Sequence, residues 1–217
     1  LILAVAMAIG LNELLNKRRA KAYQTIFMAP YFLSWVVVSF MAFSLFSVDD
    51  GLFNHLLAYF GFKGVDWYSE PGKWPFILTF FQLWKTVGYS TVMYISSLTG
   101  ISNDYYEAAV LDGATKWQQI KWITLPCLKP MMIVLTILAI GRIFYTDFGL
   151  FFQLPRDSGP LYPATQVIDT YVYRALKETG NVGMAAAASL YQSVVGFLLV
   201  VGANLVVRRI EPDSALF

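Results

Sequence analysis

The segment Glu107-Ala-Ala-Val-Leu-Asp-Gly-Ala-Thr-Lys-Trp-Gln-Gln-Ile-Lys-Trp-Ile-Thr-Leu-Pro126 governs the fold of the 217 residues around it. Its pattern predicts two short helices around a glycine. Ser102 and Asn103 offer N-cap oxygens, Asp104 and Glu107 put negative charge near the first turn, and Tyr105 to Leu111 is apolar, helix-tolerant material. Gly113 can end that helix, because the position after a helix commonly takes positive φ, where glycine has no Cβ to clash. Thr115 then caps a second helix running through Trp122, and Pro126 and Pro130 mark the start of a further helix. Tyr105, Tyr106, Ala109, Leu111, Trp117, Ile120 and Trp122 make the segment too apolar for a solvated connection. Small Ala108 and Ala109 beside these aromatics suit close approach by another protein, as in helix-in-groove recognition. A helix pair resting on a bilayer fits the periodicity equally well.

Working outward, the segment lies between long apolar runs. The chain is 57% apolar or aromatic and 14% charged, against roughly 25% charged in a soluble domain, and its mean hydropathy is +0.55. A helix needs about 20 apolar residues to cross a hydrocarbon core of about 30 Å at about 1.5 Å per residue. Five runs qualify in whole or part: Leu1 to Leu15, which is short and reads as the remnant of a span cut at its N-terminus, Tyr23 to Val48, Trp74 to Leu98, Leu128 to Phe152, and Met184 to Val207. The basic cluster follows the first run rather than preceding it, which does not fit a signal peptide. A polytopic, all-α transmembrane bundle in a single domain over 1–217 is predicted, with about five spans.

Charge sets the sidedness, since Lys and Arg near span ends stay cytoplasmic. Lys17, Arg18, Arg19, Lys21, Lys116, Lys121, Lys129, Arg208 and Arg209 fall on one side, against Lys63, Lys73, Arg156, Arg174 and Lys177 on the other. The loop over 99–126 and the C-terminus are therefore expected in the cytoplasm. Asp49 to Lys73 and Gln153 to Gly183 face out, broken by turn formers such as Pro71-Gly72 and Gly159-Pro160. Within the second outer loop, Val167, Ile168, Tyr171, Val172 and Leu176 predict an amphipathic helix over Ala164 to Lys177 with this stripe as its apolar face. One cysteine, Cys127, and one histidine, His55, exclude an internal disulfide and a histidine-rich metal site. A net charge of +2 without a broad basic face gives no footprint for nucleic acid. The chain has no phosphate loop of the Gly-x-x-x-x-Gly-Lys type.

Glu107-Ala108-Ala109, three residues, Gly113, nine residues, Ile123, one residue and Leu125-Pro126 resemble the EAA motif of binding-protein-dependent ABC importer permeases. Every defining position matches, although Ile120 stands where phenylalanine often precedes the Ile-x-Leu-Pro end by three. The resemblance implies a type I importer permease fold with six core spans, of which about five are present here. It also implies that the loop docks in a cleft of a separate ATPase, where Glu107 faces a basic group. Asp112-Gly113-Ala114 resembles the sugar-importer version of the motif. Asp147-Phe-Gly-Leu-Phe-Phe-Gln-Leu-Pro-Arg-Asp-Ser-Gly, Val167-Ile-Asp-Thr-Tyr-Val-Tyr-Arg, Gly183-Met-Ala-Ala-Ala-Ala and Arg208 to Phe217 are similar to the oligosaccharide or polysaccharide permeases named for lipoproteins.

The family further implies a second permease subunit, two ATPase subunits that bind ATP and Mg, and an extracytoplasmic sugar-binding protein, all at a bacterial plasma (inner) membrane. No cofactor is expected in this chain itself. Charges at mid-membrane cost about 2.5–3.5 kcal/mol on insertion scales and usually face a protein interior or an aqueous path. Lys85, Arg142 and Asp147 are such charges. Gln82, Lys85 and Tyr89 share a helical face by spacing, Arg142 and Tyr145 another, and Ser189, Gln192 and Ser193 a third. These eight residues are candidates for a substrate path, while hydrogen bonding to neighbouring helices accounts for each one singly as well. Lys85 and Asp147 also have the alternative of snorkelling to the outer interface. An importer for a non-sugar solute is the second reading, a stand-alone secondary transporter the third. An intramembrane enzyme would need a catalytic set that a lone loop histidine does not supply.

Overall fold

The computed structural model describes residues 1–14, 16–178 and 180–210, with Ile210 by its backbone alone. Among these residues every regular element is helical: α1 (Ile2–Asn12), α2 (Lys17–Met28), α3 (Trp35–Phe46), α4 (Leu52–Tyr59), α5 (Trp74–Thr99), α6 (Asn103–Leu111), α7 (Lys116–Gln119), α8 (Leu125–Gly141), α9 (Tyr162–Thr165), α10 (Ile168–Lys177) and α11 (Val182–Ile210). Leu15 and the tail beyond Ile210, part of the Arg208 to Phe217 resemblance, lie outside the described residues.

Contacts divide the chain into two compact units. One comprises Leu1–Tyr31, Trp84–Gly141 and Phe197–Phe217, the other Phe32–Leu83 and Arg142–Gly196. The first contains every connection that the charge count assigns to the cytoplasm, and the second contains both loops assigned outward.

In the first unit, Ala4, Val5 and Ala8 of α1 pack against Tyr94 and Leu98 of α5 and Leu128 of α8. Lipid tails are as apolar as these side chains, so close van der Waals fit rather than hydrophobic transfer holds such helices together, and alanine one turn apart permits it. Ala4 and Ala8 are 3% and 0% exposed. The Thr91 hydroxyl donates to the Val87 carbonyl at 2.7 Å and reaches the Ala4 carbonyl at 3.5 Å, so this buried hydroxyl is satisfied at the contact.

Two expected spans change on folding. The run Tyr23 to Val48 is interrupted: α2 ends at Met28, a 3₁₀ turn occupies Ala29–Phe32, and α3 restarts with the Ser34 hydroxyl capping the Val37 amide at 3.3 Å. Pro30 explains the break, since it lacks an amide hydrogen and crowds the preceding turn. The fourth span does not begin at Pro126. α7, a π-helical turn at Ile120–Thr124 and α8 form one helix from Lys116 to Gly141. The wider turn ahead of Pro126 carries the Leu125 amide to the Ile120 carbonyl, five residues back, and such local π adjustments re-satisfy backbone freed by proline in membrane helices. Nor does that span reach Phe152: helix stops at Gly141, 142–147 is non-helical, and a π-helical turn follows at Gly149–Gln153. Among the described residues, by length and composition, two helices, Lys116–Gly141 and Val182–Arg209, suffice to cross a membrane, and up to three if the interrupted pair counts as one. The 26-residue α5 matches the expected run in length, with Gln82, Lys85 and its hydroxyl residues lowering its apolar content.

The second unit is tied together by polar staples. Asn54 donates to the carbonyls of Val48 and Val65 at 3.0 and 2.9 Å, and accepts from the Val65 amide and the Trp67 indole at 3.0 and 3.1 Å. Trp74, fully buried, donates to the Trp67 carbonyl at 2.6 Å. The predicted amphipathic helix is split at Gln166–Val167, and Val167, Ile168 and Val172 of its apolar stripe are half-buried. Thr170, Arg174 and Ala175 are its buried residues, while Tyr171 and Leu176 of the apolar stripe are exposed. The polar face turns inward because its partners are there: Arg174 donates from Nε and Nη2 to Asp157 Oδ1 at 3.1 and 2.7 Å and lies over the Tyr162 ring at 3.9 Å. The Tyr162 hydroxyl is pushed up from its ordinary pKa by burial, opposed by Arg174.

Candidate functional site

The loop quoted first folds as a helix, a glycine turn and a second helix. Ser102 caps α6 by accepting from the Asp104 amide at 3.2 Å, and Gly113 sits at φ +76°, the left-handed conformation that the turn requires. Thr115 caps α7 through a reciprocal pair with Gln118: the Gln118 amide reaches Thr115 Oγ1 at 3.4 Å, and the Thr115 amide donates to Gln118 Oε1 at 2.7 Å.

Two contacts brace this loop internally and a third ties it to the Asn12–Leu14 turn. Tyr106 and Thr124 hydroxyls are 3.0 Å apart, Gln119 is buried and donates to the Ala114 carbonyl at 3.3 Å, and Lys116 pairs with Glu13 of the Asn12–Leu14 turn at 3.2 Å. The opposite face is bare. Leu111 is 89% exposed, Trp117 72% and Trp122 69%, and Glu107, Ala108, Asp112, Gly113 and Pro126 are exposed with them. Ala109, Ile123 and Leu125 are half-buried, supporting the helices from beneath. A notch of about 460 Å³ lined by Tyr106, Glu107, Val110, Leu111, Lys116 and Gln119 opens between α6 and α7.

The eight path candidates separate into two groups. Lys85 and Tyr89 belong to the first unit, where both converge on Tyr31. Lys85 Nζ donates to the Tyr31 carbonyl at 2.8 Å and lies 5.5 Å from its ring centre, and the Tyr89 ring stacks on Tyr31 at 4.6 Å. Lys85 is buried, so snorkelling does not describe it. Gln82, Arg142, Tyr145, Ser189, Gln192 and Ser193 belong to the second unit. Arg142 and Tyr145 do not share a helical face, because both follow the end of α8. Tyr145 instead turns its hydroxyl to Ser193 Oγ at 2.8 Å, and Ser193 donates to the Ser189 carbonyl at 2.9 Å. Gln192, although on the same helix, points elsewhere. It is 2% exposed and donates to the Phe144 carbonyl at 2.6 Å and to Asp169 Oδ1 at 3.3 Å.

A cavity of about 340 Å³ in this unit is lined by Thr79, Gln82, Tyr145, Thr146, Asp147 and Phe151, with Leu78, Leu83 and Leu150 behind them. Its mixture of hydroxyls, an amide, a carboxylate and aromatic rings can hydrogen-bond and stack on a polar ring compound. The segment 144–151 that forms one wall is fixed by residues outside the eight path candidates. Asp169 Oδ2 accepts from both the amide (2.8 Å) and the hydroxyl of Thr146. Asp147 Oδ2 accepts from the Trp35 indole at 2.6 Å and Oδ1 from the Gly149 amide at 3.0 Å. A Cβ on Gly149 would collide with the Trp35 ring, and Phe148 stacks on Phe152 at 4.8 Å and packs on Tyr173 at 5.0 Å. Asp147, Phe148 and Gly149 thus each have a separate structural task. The sequence signal for Asp169 was present as an acid on the polar side of a strongly amphipathic segment, but nothing local identifies its partner 23 residues away.

The family model for binding-protein-dependent transport system inner membrane components matches residues 1–212. Among curated relatives, the polygalacturonan/rhamnogalacturonan transport system permease protein YteP of Bacillus subtilis (strain 168) is 32% identical over 211 residues, 97% of this chain and 65% of its own length. Protein LplB of the same organism is 28% identical over 208 residues, covering 96% and 65%. The sn-glycerol-3-phosphate transport system permease protein UgpA of Escherichia coli O6:K15:H31 is 29% identical over 194 residues, covering 88% and 63%. The chain therefore spans just under two thirds of the length of these relatives. In structure it is similar, with TM-score 0.89 and 32% identity over 96% of this chain and 72% of the other, to a chain of the bacterial alginate ABC transporter in complex with an alginate pentasaccharide-bound periplasmic protein.

Proposed function

This chain belongs to the family of binding-protein-dependent transport system inner membrane components, and we propose that it is the permease subunit of an ATP-driven importer of oligosaccharides. The observation that carries the proposal is the bare face of the α6–α7 loop. A connection between membrane helices that leaves Leu111, Trp117 and Trp122 uncovered by its own chain suits a protein partner, and its Glu107-to-Pro126 spacing resembles that of a loop read by an ATPase. In this reading the ATPase subunits bind and hydrolyse ATP with Mg, a second permease completes the pathway, and an extracytoplasmic binding protein delivers sugar. The loop and the C-terminus then face the cytoplasm, consistent with the nine basic residues on that side.

Coupling follows from how the loop is anchored. α7 continues without a break into α8, so displacement of α7 by a closing ATPase is carried into the helix directly rather than through a flexible joint. Two states with different contacts for the ATPase and for cargo are required for such coupling, since a partner shifts an equilibrium only by its differential affinity. Carbohydrate as cargo is supported by the cavity at Tyr145, Gln82, Thr79 and Phe151 and by the names of the polysaccharide-transporting relatives. A phosphorylated polyol is the second reading, favoured by the similarity to UgpA.

Co-purification of the full-length protein with its subunits tests the loop. Wild type should retain an ATPase, and Glu107→Lys should lose it while keeping the second permease. Retention of the ATPase by the variant would overturn the docking role. Binding-protein-dependent uptake of labelled oligosaccharides against glycerol phosphate decides the cargo.

A further inference from the structure

The short helix α4 in the second unit has its polarity reversed. A helix at a water-facing surface turns apolar residues inward and polar residues out, yet the residue that α4 buries is Asn54. On the opposite side Leu52, Leu56 and Tyr59 recur four and three residues apart, with Phe60 beside them. All are bare, Tyr59 at 85% and Phe60 at 69% exposure. We propose that α4 is an interfacial anchor whose outer face lies in the boundary between headgroups and acyl chains of the bilayer leaflet at the exit of α3.

The aromatic tip is a defined structure rather than a frayed end. Gly61 takes φ +78°, its amide donates to the Ala58 carbonyl at 3.0 Å, and the Phe62 amide donates to the Leu57 carbonyl at 2.9 Å, the paired bonds of a Schellman turn. Phe62 is thereby held just past the helix, 66% exposed, and the Tyr59 and Phe60 rings meet edge to face at 5.5 Å. From Gly51 to Phe62 the chain carries no Lys, Arg, Asp or Glu. Lys63 follows directly, where its stem can lie along the apolar boundary with the ammonium among headgroups. Tyrosine suits that boundary because its ring is apolar and its hydroxyl is wet.

The position of α4 brings this face to the membrane. The Asn54 amide donates to the carbonyls of Ser47 and Val48 at 3.4 and 3.0 Å, and a Cβ on Gly51 would collide with the Ser47 backbone. Phe53 packs on Phe46, in the last turn of α3, at 5.0 Å. Helix α4 is thus fastened across the end of α3. Phe46 also meets Phe81 of α5 at 6.4 Å, which puts this end level with the first turns of α5. There Phe76, Phe80 and Leu83, at i, i+4 and i+7, form an apolar stripe that the chain leaves uncovered, with Phe76 80% exposed. Helix α4 continues that surface. Lipid is present at this level at all times, whereas a soluble partner that binds and leaves would return three aromatic rings to water in every cycle. An apolar face on a short helix at the bilayer surface needs only the headgroup and acyl boundary to cover it.

The test is nitroxide accessibility in the full-length protein, freed of its own cysteines and reconstituted with its subunits in dioleoylphosphatidylcholine vesicles. Labels at Leu56→Cys and Phe60→Cys should collide severalfold more often with oxygen, which concentrates in hydrocarbon, than with a water-soluble nickel chelate. The order should reverse at Ala58→Cys, which is exposed on the Asn54 side of the same helix. An excess of chelate collisions at both Leu56 and Phe60 would overturn the proposal by placing the face in water. Shielding of both labels from both quenchers would overturn it by placing another polypeptide there, and an oxygen excess at Ala58 equal to that at Phe60 would do so by submerging the whole helix.

Discussion

Replacing Gln192 by leucine separates a residue that holds the site from one that meets cargo. Its amide donates to the Phe144 carbonyl at 2.6 Å and to Asp169 Oδ1 at 3.3 Å, and the side chain is buried. α8 has ended at Gly141, so the Phe144 carbonyl takes this amide in place of a helical donor. Leucine has a similar volume and no donor. The variant therefore loses two hydrogen bonds without opening a large cavity. In soluble proteins one neutral bond is worth about 1 kcal/mol and one to a charged group about 1.5–3, while interhelical bonds in membranes average about 0.6 with a maximum near 1.7. The second bond is long, so the sum expected here is about 2 kcal/mol. At about 2–4 °C per kcal/mol for a chain of this size, the melting temperature should fall by about 4–8 °C. Because Gln192 faces Asp169 rather than the cavity, the KM for oligosaccharide should stay at the wild-type value, with any loss confined to the maximal rate. The assays are thermal unfolding of the detergent-solubilised complex and initial uptake rates in proteoliposomes. An unchanged melting temperature together with a severalfold rise in KM would refute the reasoning and return Gln192 to the substrate path.

Gly113→Val should strain the turn between α6 and α7. A side chain at φ +76° costs about 1–2 kcal/mol, so amide exchange in α6 should accelerate and transport should fall for a given rate of ATP hydrolysis. Tyr68→Phe should stabilise the loop between α4 and α5 by about 1 kcal/mol, since its buried hydroxyl has no hydrogen-bond partner. Burial pushes the Tyr68 hydroxyl from 10.0 up to about 12, against the opposing pull of Arg156. A folded pKa above the unfolded one means that its contribution is complete below pH 10 and is lost as pH rises toward 12. Thermal unfolding between those pH values should be less pH-dependent in Tyr68→Phe, and absorbance titration should lose its latest-ionising phenol. Asp157→Asn removes the charge that holds Arg174 and should cost about 1.5–3 kcal/mol, read as a lower melting temperature that Arg174→Met in the same chain partly restores.

Much of the loop was legible in order. Ser102, Gly113 and Thr115 act through their immediate neighbours, so a cap, a left-handed turn and a capping box could be read from spacing alone. The spans were legible as apolar material but not as continuous helices. Pro30 ended a helix where the sequence suggested passage, whereas Pro126 did not, because the π-helical turn at Ile120–Thr124 accommodated it, and α8 also runs through Pro130. Proline fixes only its own φ and its missing donor. Whether the helix breaks depends on whether neighbouring turns can take up the released carbonyl.

By itself the sequence determined an all-helical, membrane-embedded chain, the family to which it belongs, and the two-helix loop. These rest on composition, on period and on contacts within four or five residues. Only the tertiary structure decided the end of α8 at Gly141, the inward turn of the polar face of α10, the pairing of Tyr145 with Ser193, and the diversion of Gln192 to Asp169. In each case a side chain chose between apolar surroundings and a polar partner distant in sequence. An unpartnered polar group costs more in a low-dielectric interior than an exposed apolar one does at a lipid surface, and that balance cannot be read until the partner has been brought alongside.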